Sequence, residues 1–297
     1  MLGTGSWGTT FSQVLADAGL EVRMWGRRGT IVEMVNSGEN SAYLPGVELS
    51  SRITATTDLK SAVTGASAVV LAVPVGVTGE VVEAAVAHAP EAPFVSLSKG
   101  IEPGTMRTVS QLIAASGNLP PSQIVAISGP NLSMEIAMRQ PTAAVVASED
   151  VETAKQIARA CHNEYFRPYV STDLTGVEVA GAAKNVIALA IGASEGMGLG
   201  ANTRATLITR GLAEMTRLGV ALGARASTNA GLAGVGDLVA TCSSRLSRNY
   251  SLGFRLGKGM TLEEALALSP GIAEGYKTAP PMLALAGDHD VDMPITR

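Results

Sequence analysis

From residue 3 to about residue 169, short runs rich in Val, Ile, Phe and Ala alternate with stretches whose apolar residues recur every three or four positions. Apolar strands separated by amphipathic helices form a parallel sheet with helices packed on its faces, so this half predicts a doubly wound α/β fold. The runs at 22–25, 53–56, 68–73, 94–98, 124–127, 143–147 and 166–169 read as strands. Phe11, Val14, Leu15 and Ala18 share one helical face and Gly19 supplies a stop, which predicts a helix over 7–18. After Ser171, Thr172 and Asp173, any of which can cap a helix, the pattern changes to long helical stretches at 175–194 and 203–222. Thr261 and Glu264 make a capping box ahead of 262–268. The expectation is two domains, an α/β unit over 1–172 and an all-helical unit over 173–297.

The first helix follows Gly3-Thr4-Gly5-Ser6-Trp7-Gly8, a dinucleotide fingerprint. Its glycines allow a tight turn, close approach of a pyrophosphate and close helix packing, and the helix N-terminus faces the anion. A structural glycine turn is the plainer alternative, but the strands and helices that follow give the Rossmann-type context the motif needs. Only Met1 and Leu2 precede Gly3, fewer than a central strand ordinarily uses, so a first strand shortened at its start is expected. The next strand ends at Trp25-Gly26-Arg27-Arg28, where NAD-preferring proteins place a carboxylate on the ribose. Two guanidiniums suit a 2′-phosphate instead, which predicts use of NADP(H) at least as well as NAD(H), unless the pair is only a solvated basic surface.

Composition narrows the classes. The chain has 297 residues, 46% hydrophobic and 16% charged, with a formal net charge of −4 and no basic run longer than Arg27-Arg28, so neither nucleic acid nor an anionic membrane is an expected partner. Cys161 and Cys242 lie far apart without CxxC spacing and read as free thiols, and no metal site is expected. The apolar runs are broken well short of the roughly 20 residues a span needs, and no charged segment with an apolar core opens the chain, so no membrane anchor and a cytoplasmic location are expected.

Reduction of a carbonyl needs a proton donor beside the oxygen and positive charge to stabilise it. Lys184 interrupts an otherwise apolar helix, where a charge is costly unless it faces a partner or snorkels to solvent. Lys99, in Ser98-Lys99-Gly100, follows a strand whose end belongs to the ligand-binding edge of such sheets, although surface loops also carry lysines. Asp237 follows a glycine-rich turn and could be no more than a helix cap. Ser247-Arg248-Asn249 opens a helix, a good place for a phosphate or for an ordinary surface charge.

Taken together, Gly3-Thr4-Gly5-Ser6-Trp7-Gly8-Thr9, Ser98-Lys99-Gly100, Ser128-Gly129-Pro130, Ala183-Lys184-Asn185-Val186, Gly236-Asp237-Leu238 with Thr241, Ser247-Arg248-Asn249 and Ala273-Glu274-Gly275-Tyr276 occur in the order found in bacterial-type NAD(P)-dependent glycerol-3-phosphate dehydrogenases. The sequence resembles that family over essentially its whole length. The resemblance implies reduction of dihydroxyacetone phosphate to sn-glycerol 3-phosphate, a phospholipid precursor, with Lys184 as proton donor and acceptor supported by Lys99, Asp237 and Thr241. It implies substrate contacts from Lys99, Gly129, Asn131, Lys184, Asn185, Asp237, Ser247, Arg248 and Asn249. For the cofactor, NADP(H) or NAD(H), it implies contacts from Gly3, Gly5, Ser6, Trp7, Gly8, Arg27, Arg28, Lys99, Ser133, Arg248, Ile272 and Glu274.

The sequence departs from the family at Asn131-Leu132-Ser133, where a small hydroxyl residue, phenylalanine and alanine are usual, and it stops at Arg297 where members continue into a further helical segment. Two rival readings carry different expectations. A related hydroxy-acid or sugar-acid dehydrogenase would use the same fold and lysine on a carboxylate; a dinucleotide sensor would bind cofactor without turnover and would not need Lys99, Lys184, Asp237 and Thr241. A homodimer is compatible with an apolar helical domain.

Overall fold

The computed structural model describes residues 1–269, 271 and 273–297. The chain divides into two compact units. The first comprises Met1–Ser98, Ser110–Ile127 and Ser133–Thr172, and the second comprises Lys99–Val109, Ser128–Leu132 and Asp173–Arg297.

In the first unit the strands are β1 (Val22–Trp25), β2 (Ile53–Thr56), β3 (Val69–Leu71), β4 (Phe94–Ser96), β5 (Ile124–Ser128), β6 (Thr142–Ala147) and β7 (Phe166–Ser171). β1 pairs with β2, and the others follow in the order β3-β4-β5-β6-β7. The pairs β1–β2, β3–β4, β4–β5 and β6–β7 are parallel. Leu2 joins the two groups by parallel bridges to Trp25 and Leu71. Its amide donates to Val70 O (2.7 Å), its carbonyl accepts from Ala72 N (2.8 Å), and Gly3 N donates to Trp25 O (2.9 Å). Backbone bonds on both sides hold Leu2 in the central strand position, and its side chain is fully buried. The strand order reverses at this point, which is where open α/β sheets bind ligands.

The first helix runs over Ser6–Asp17, and Gly19 ends it with φ +94°. Its buried face carries Phe11 and Val14, with Phe11 tilted against Trp7 (5.6 Å between centroids) and edge-on to Phe166 (5.8 Å). Strands β3, β4 and β5 are buried along their whole length. That is why they read as continuous apolar runs rather than alternating ones.

The second unit is built around the Leu174–Gly196 helix. By length and composition this helix could cross a membrane, contrary to the sequence reading of short broken runs. It is a core helix instead, 83% buried over its most apolar stretch. Asp173 caps it, accepting from Gly176 N (3.0 Å) and also from Arg225 N (2.9 Å). The Arg248–Gly257 helix lies against it so closely that side chains are excluded. A Cβ on Gly192 would fall 2.1 Å from Tyr250 O, and one on Gly253 would fall 2.0 Å from Leu189 O; Gly196 and Gly257 are equally tight. The Ala201–Ala221 and Gly275–Asp288 helices complete the packing around Ile187, Ile191, Met215, Leu218 and Met282. The capping box at Thr261 and Glu264 forms as the spacing predicts. Cys161 and Cys242 are both buried free thiols, and burial pushes each up to about 12.

Candidate active site

In the second unit the long apolar helix brings Lys184 to the start of the Asp237–Ser243 helix, which follows a wide turn over Leu232–Gly236. Lys184 Nζ donates to Asp237 Oδ1 (2.9 Å) and Thr241 Oγ1 (2.8 Å). The threonine hydroxyl is 3.1 Å from the same carboxylate oxygen, so it can donate there while accepting from the lysine. Lys99 Nζ donates to Asp237 Oδ2 (2.6 Å) and Gly129 O (3.0 Å). Gly129 has φ +146°, a backbone conformation that glycine adopts without strain and that turns its carbonyl to this lysine. One carboxylate thus sits between two ammonium groups.

The four residues that sequence reading assigned to proton transfer are therefore one connected cluster. Asp237 is 1% exposed and Lys184 8% exposed. Burial alone would raise the Asp237 carboxyl, but Lys184 and Lys99 outweigh it and hold the group below its ordinary value. Burial, reinforced by the neighbouring Lys184 charge and only partly offset by Asp237, pushes Lys99 down to about 8. With both lysines protonated the cluster carries one net positive charge. Each ammonium has three N–H donors and, among the described residues, uses two, so one remains for a ligand.

Around this cluster, Asn185 Nδ2 donates to Lys99 O (3.3 Å) and accepts through Oδ1 from Asn249 Nδ2 (2.9 Å), while Asn249 Oδ1 accepts from Gly275 N (2.8 Å). Asn249 is thereby a brace between three segments. Ser247 caps the Arg248–Gly257 helix, and Arg248 is exposed beside Gly271. Asn131 is in the same unit with both amide atoms buried and, among the described residues, unpartnered, as is Ser128 Oγ. Unsatisfied buried polar atoms are rare and mark places where a ligand supplies the missing partner. Glu274 precedes the Gly275–Asp288 helix, whose Lys277 and Thr278 amides bond its carbonyl. Ile272 lies outside the described residues.

In the first unit, Gly3 adopts φ +123° and a Cβ there would fall 2.4 Å from Ala72 O, while one on Gly8 would fall 2.3 Å from Gly3 O. A Cβ on Gly5 would meet nothing within 4 Å. Two glycines are thus required by packing and the middle one faces open space, as close approach of a pyrophosphate requires. Among the described residues no side chain caps the Ser6–Asp17 helix, so its first amides are available to an anion. Trp7 Nε1 is buried without a partner among the described residues. Arg27 and Arg28 are exposed, and Arg28 donates to the Tyr43 hydroxyl with its guanidinium 5.4 Å from the ring centroid. Ser133 begins the Ser133–Ala137 helix and its carbonyl accepts from Thr10 Oγ1 (3.2 Å). These features fit a dinucleotide.

Sequence reasoning missed Tyr43 and Asn40, which lie on a turn after the Gly29–Asn36 helix. Motif spacing gives no signal for them, because their partners are 15 to 36 residues away.

A dinucleotide loop in one unit and a charged lysine–aspartate–lysine cluster in the other are the parts of a nicotinamide-dependent dehydrogenase. The comparisons are more specific. Residues 1–154 match the family described as NAD-dependent glycerol-3-phosphate dehydrogenase N-terminus, and residues 173–297 match its C-terminus. The chain belongs to this family. It is 54% identical over 299 residues to the glycerol-3-phosphate dehydrogenase (NAD(P)+) of Thermobifida fusca, covering 100% of this chain and 89% of that protein. The second such enzyme of Mycobacterium tuberculosis is 50% identical over 298 residues with the same coverage. Among solved structures, glycerol-3-phosphate dehydrogenase from Coxiella burnetii superposes with a TM-score of 0.94 at 37% identity, covering 99% of this chain and 90% of that one.

Proposed function

We propose that the chain reduces dihydroxyacetone phosphate to sn-glycerol 3-phosphate with NADPH or NADH, and runs the reverse oxidation, supplying the backbone of glycerophospholipids from the cytoplasm. The observation that carries the reading is the Lys99–Asp237–Lys184 cluster, because it supplies both the positive charge and the proton that an incipient alkoxide needs.

When bound, the nicotinamide supplies the hydride to the carbonyl carbon. Lys184 points its third N–H at the carbonyl oxygen, polarises it and delivers the proton as the alkoxide forms. Asp237 and Thr241 fix the direction of that N–H, since both of its other bonds are taken. Lys99 adds a second cation, so that the charge of the reacting oxygen is met by a preset field rather than by reorganising water. Arg248, at the N-terminus of its own helix, holds the phosphate and so places the ketone for reaction. The amide of Asn131 takes the position of the usual hydroxyl residue and offers both a donor and an acceptor to the substrate's hydroxyl. On the first unit, the Gly3–Gly8 loop takes the pyrophosphate and Arg27 with Arg28 take the 2′-phosphate, with Ser6, Trp7 and Ser133 beside them. A homodimer is part of the proposal.

A direct assay follows loss of NADPH absorbance with dihydroxyacetone phosphate, and separately with a 2-oxo acid. Rapid loss with the phosphate alone is expected. Loss with the oxo acid instead would replace this reading by a hydroxy-acid dehydrogenase, and cofactor binding without turnover on either would replace it by a sensor.

A further inference from the structure

Asn40 is fully buried, and its amide nitrogen donates to Thr4 O (3.0 Å) and to Thr9 Oγ1 (2.8 Å). Both acceptors belong to the glycine loop and the first turn of its helix. Thr4 lies between Gly3 and Gly5 and is also packed against the end of β1, where a Cβ on Gly26 would fall 2.6 Å from its side chain. The backbone carbonyl of Asn40 accepts from Tyr43 N (2.9 Å) and Leu44 N (2.8 Å), fixing the turn that presents the Tyr43 hydroxyl to Arg28. Among the described residues the amide oxygen of Asn40 has no partner. A buried amide with one half unsatisfied is costly, so this position exists for the two bonds its nitrogen makes.

We propose that Asn40 is a positioning residue for cofactor choice: it ties the pyrophosphate loop to the turn that holds Arg28, so that selection of the 2′-phosphate depends on a side chain outside the cofactor's contacts. The proposal rests on the reading of Arg28 as a 2′-phosphate partner. Without Asn40, the Tyr43 turn loses its anchor to Thr4 and Thr9, Arg28 samples more orientations, and the cost falls on the phosphorylated cofactor. The loop itself keeps the backbone bonds of Leu2 and Gly3 to β1 and β3.

The test is the dissociation constant of the whole protein for NADPH and for NADH, read from cofactor fluorescence, in Arg28→Ala, Asn40→Ala, the double variant and Thr9→Val. Thr9→Val keeps the shape and removes one of the two acceptors. Asn40→Ala is expected to weaken NADPH about tenfold and NADH about threefold or less. Thr9→Val is expected to act in the same direction, and Arg28→Ala to cost less NADPH affinity when Asn40 is already absent. If Arg28→Ala shifts the NADPH to NADH ratio but Asn40→Ala and Thr9→Val do not, Asn40 is only structural and the proposal fails alone. If Arg28→Ala leaves the ratio unchanged, the reading of Arg28 fails and takes the proposal with it. Should Asn40→Ala not fold, the ratio in Thr9→Val decides.

Discussion

Replacing Asp237 by asparagine tests the electrostatic core of the proposed mechanism with almost no change of shape. In the wild-type protein this carboxylate is 1% exposed and bonds Lys99 at 2.6 Å and Lys184 at 2.9 Å. Removing one partner of such a buried set leaves uncompensated charge at a cost of about 3 to 5 kcal/mol. The protein can relieve that cost by releasing a proton. At about 1.4 kcal/mol for each pH unit, relieving that cost through Lys99 moves its titration down by about two to four pH units. The sign follows from the chemistry: the ammonium of Lys99 is present below about 8 and lost above it, so lowering that value removes the charge at neutral pH. The assay is kcat/KM for dihydroxyacetone phosphate across pH, with NADPH affinity measured separately. The wild type should lose activity on the alkaline side near 8. Asp237→Asn should be slower by on the order of a hundredfold or more at about neutral pH, with its alkaline limb moved to about 6 or below and NADPH affinity within about twofold. A variant within about threefold of wild type, with its limb still near 8, would refute the reasoning.

Lys184→Ala should abolish turnover while the fluorescence titration with NADPH stays nearly intact; near-normal rates would remove Lys184 from the mechanism. Arg27→Ala with Arg28→Ala should raise the KM for NADPH about tenfold or more and leave that for NADH little changed, and equal effects would leave the pair as a solvated surface. Gly253→Ala forces a methyl to within 2.0 Å of Leu189 O, so calorimetry should show a loss of about 1 to 3 kcal/mol, with a KM for dihydroxyacetone phosphate that rises as Asn249 is displaced from Asn185. Glu214, 1% exposed, accepts from Ile295 N (2.6 Å) and Thr296 N (3.2 Å), so Glu214→Ala should cost about 1 to 3 kcal/mol by leaving those amides unsatisfied, and unchanged stability would show that water replaces the carboxylate.

Local patterning carried most of the fold. The strands at Val22–Trp25 and Ile53–Thr56 coincide with their apolar runs, and Gly19, Asp173 and the Thr261–Glu264 box end or start helices where their chemistry requires. These signals are local, since a strand's burial and a cap's hydrogen bond depend on residues a few positions apart. The glycine loop was legible for the same reason, and the lysine in an apolar helix stood out because an isolated buried charge is costly. What residue spacing could not decide was the partner, which only the family resemblance linked to Lys184. Asp237 and Lys184 are 53 residues apart and Lys99 and Asp237 138 apart, so one carboxylate serving two lysines has no spacing rule. The paired glycines at 192 and 196 and at 253 and 257 matter only once two helices touch. Asn40 gives no sign of itself until its amide is seen to reach Thr4 and Thr9. Residue types and short-range geometry set the elements and their chemistry; only tertiary packing, which closes long loops to bring distant polar groups together away from water, decided which charge faces which, where burial moves a titration, and which residues hold others in place.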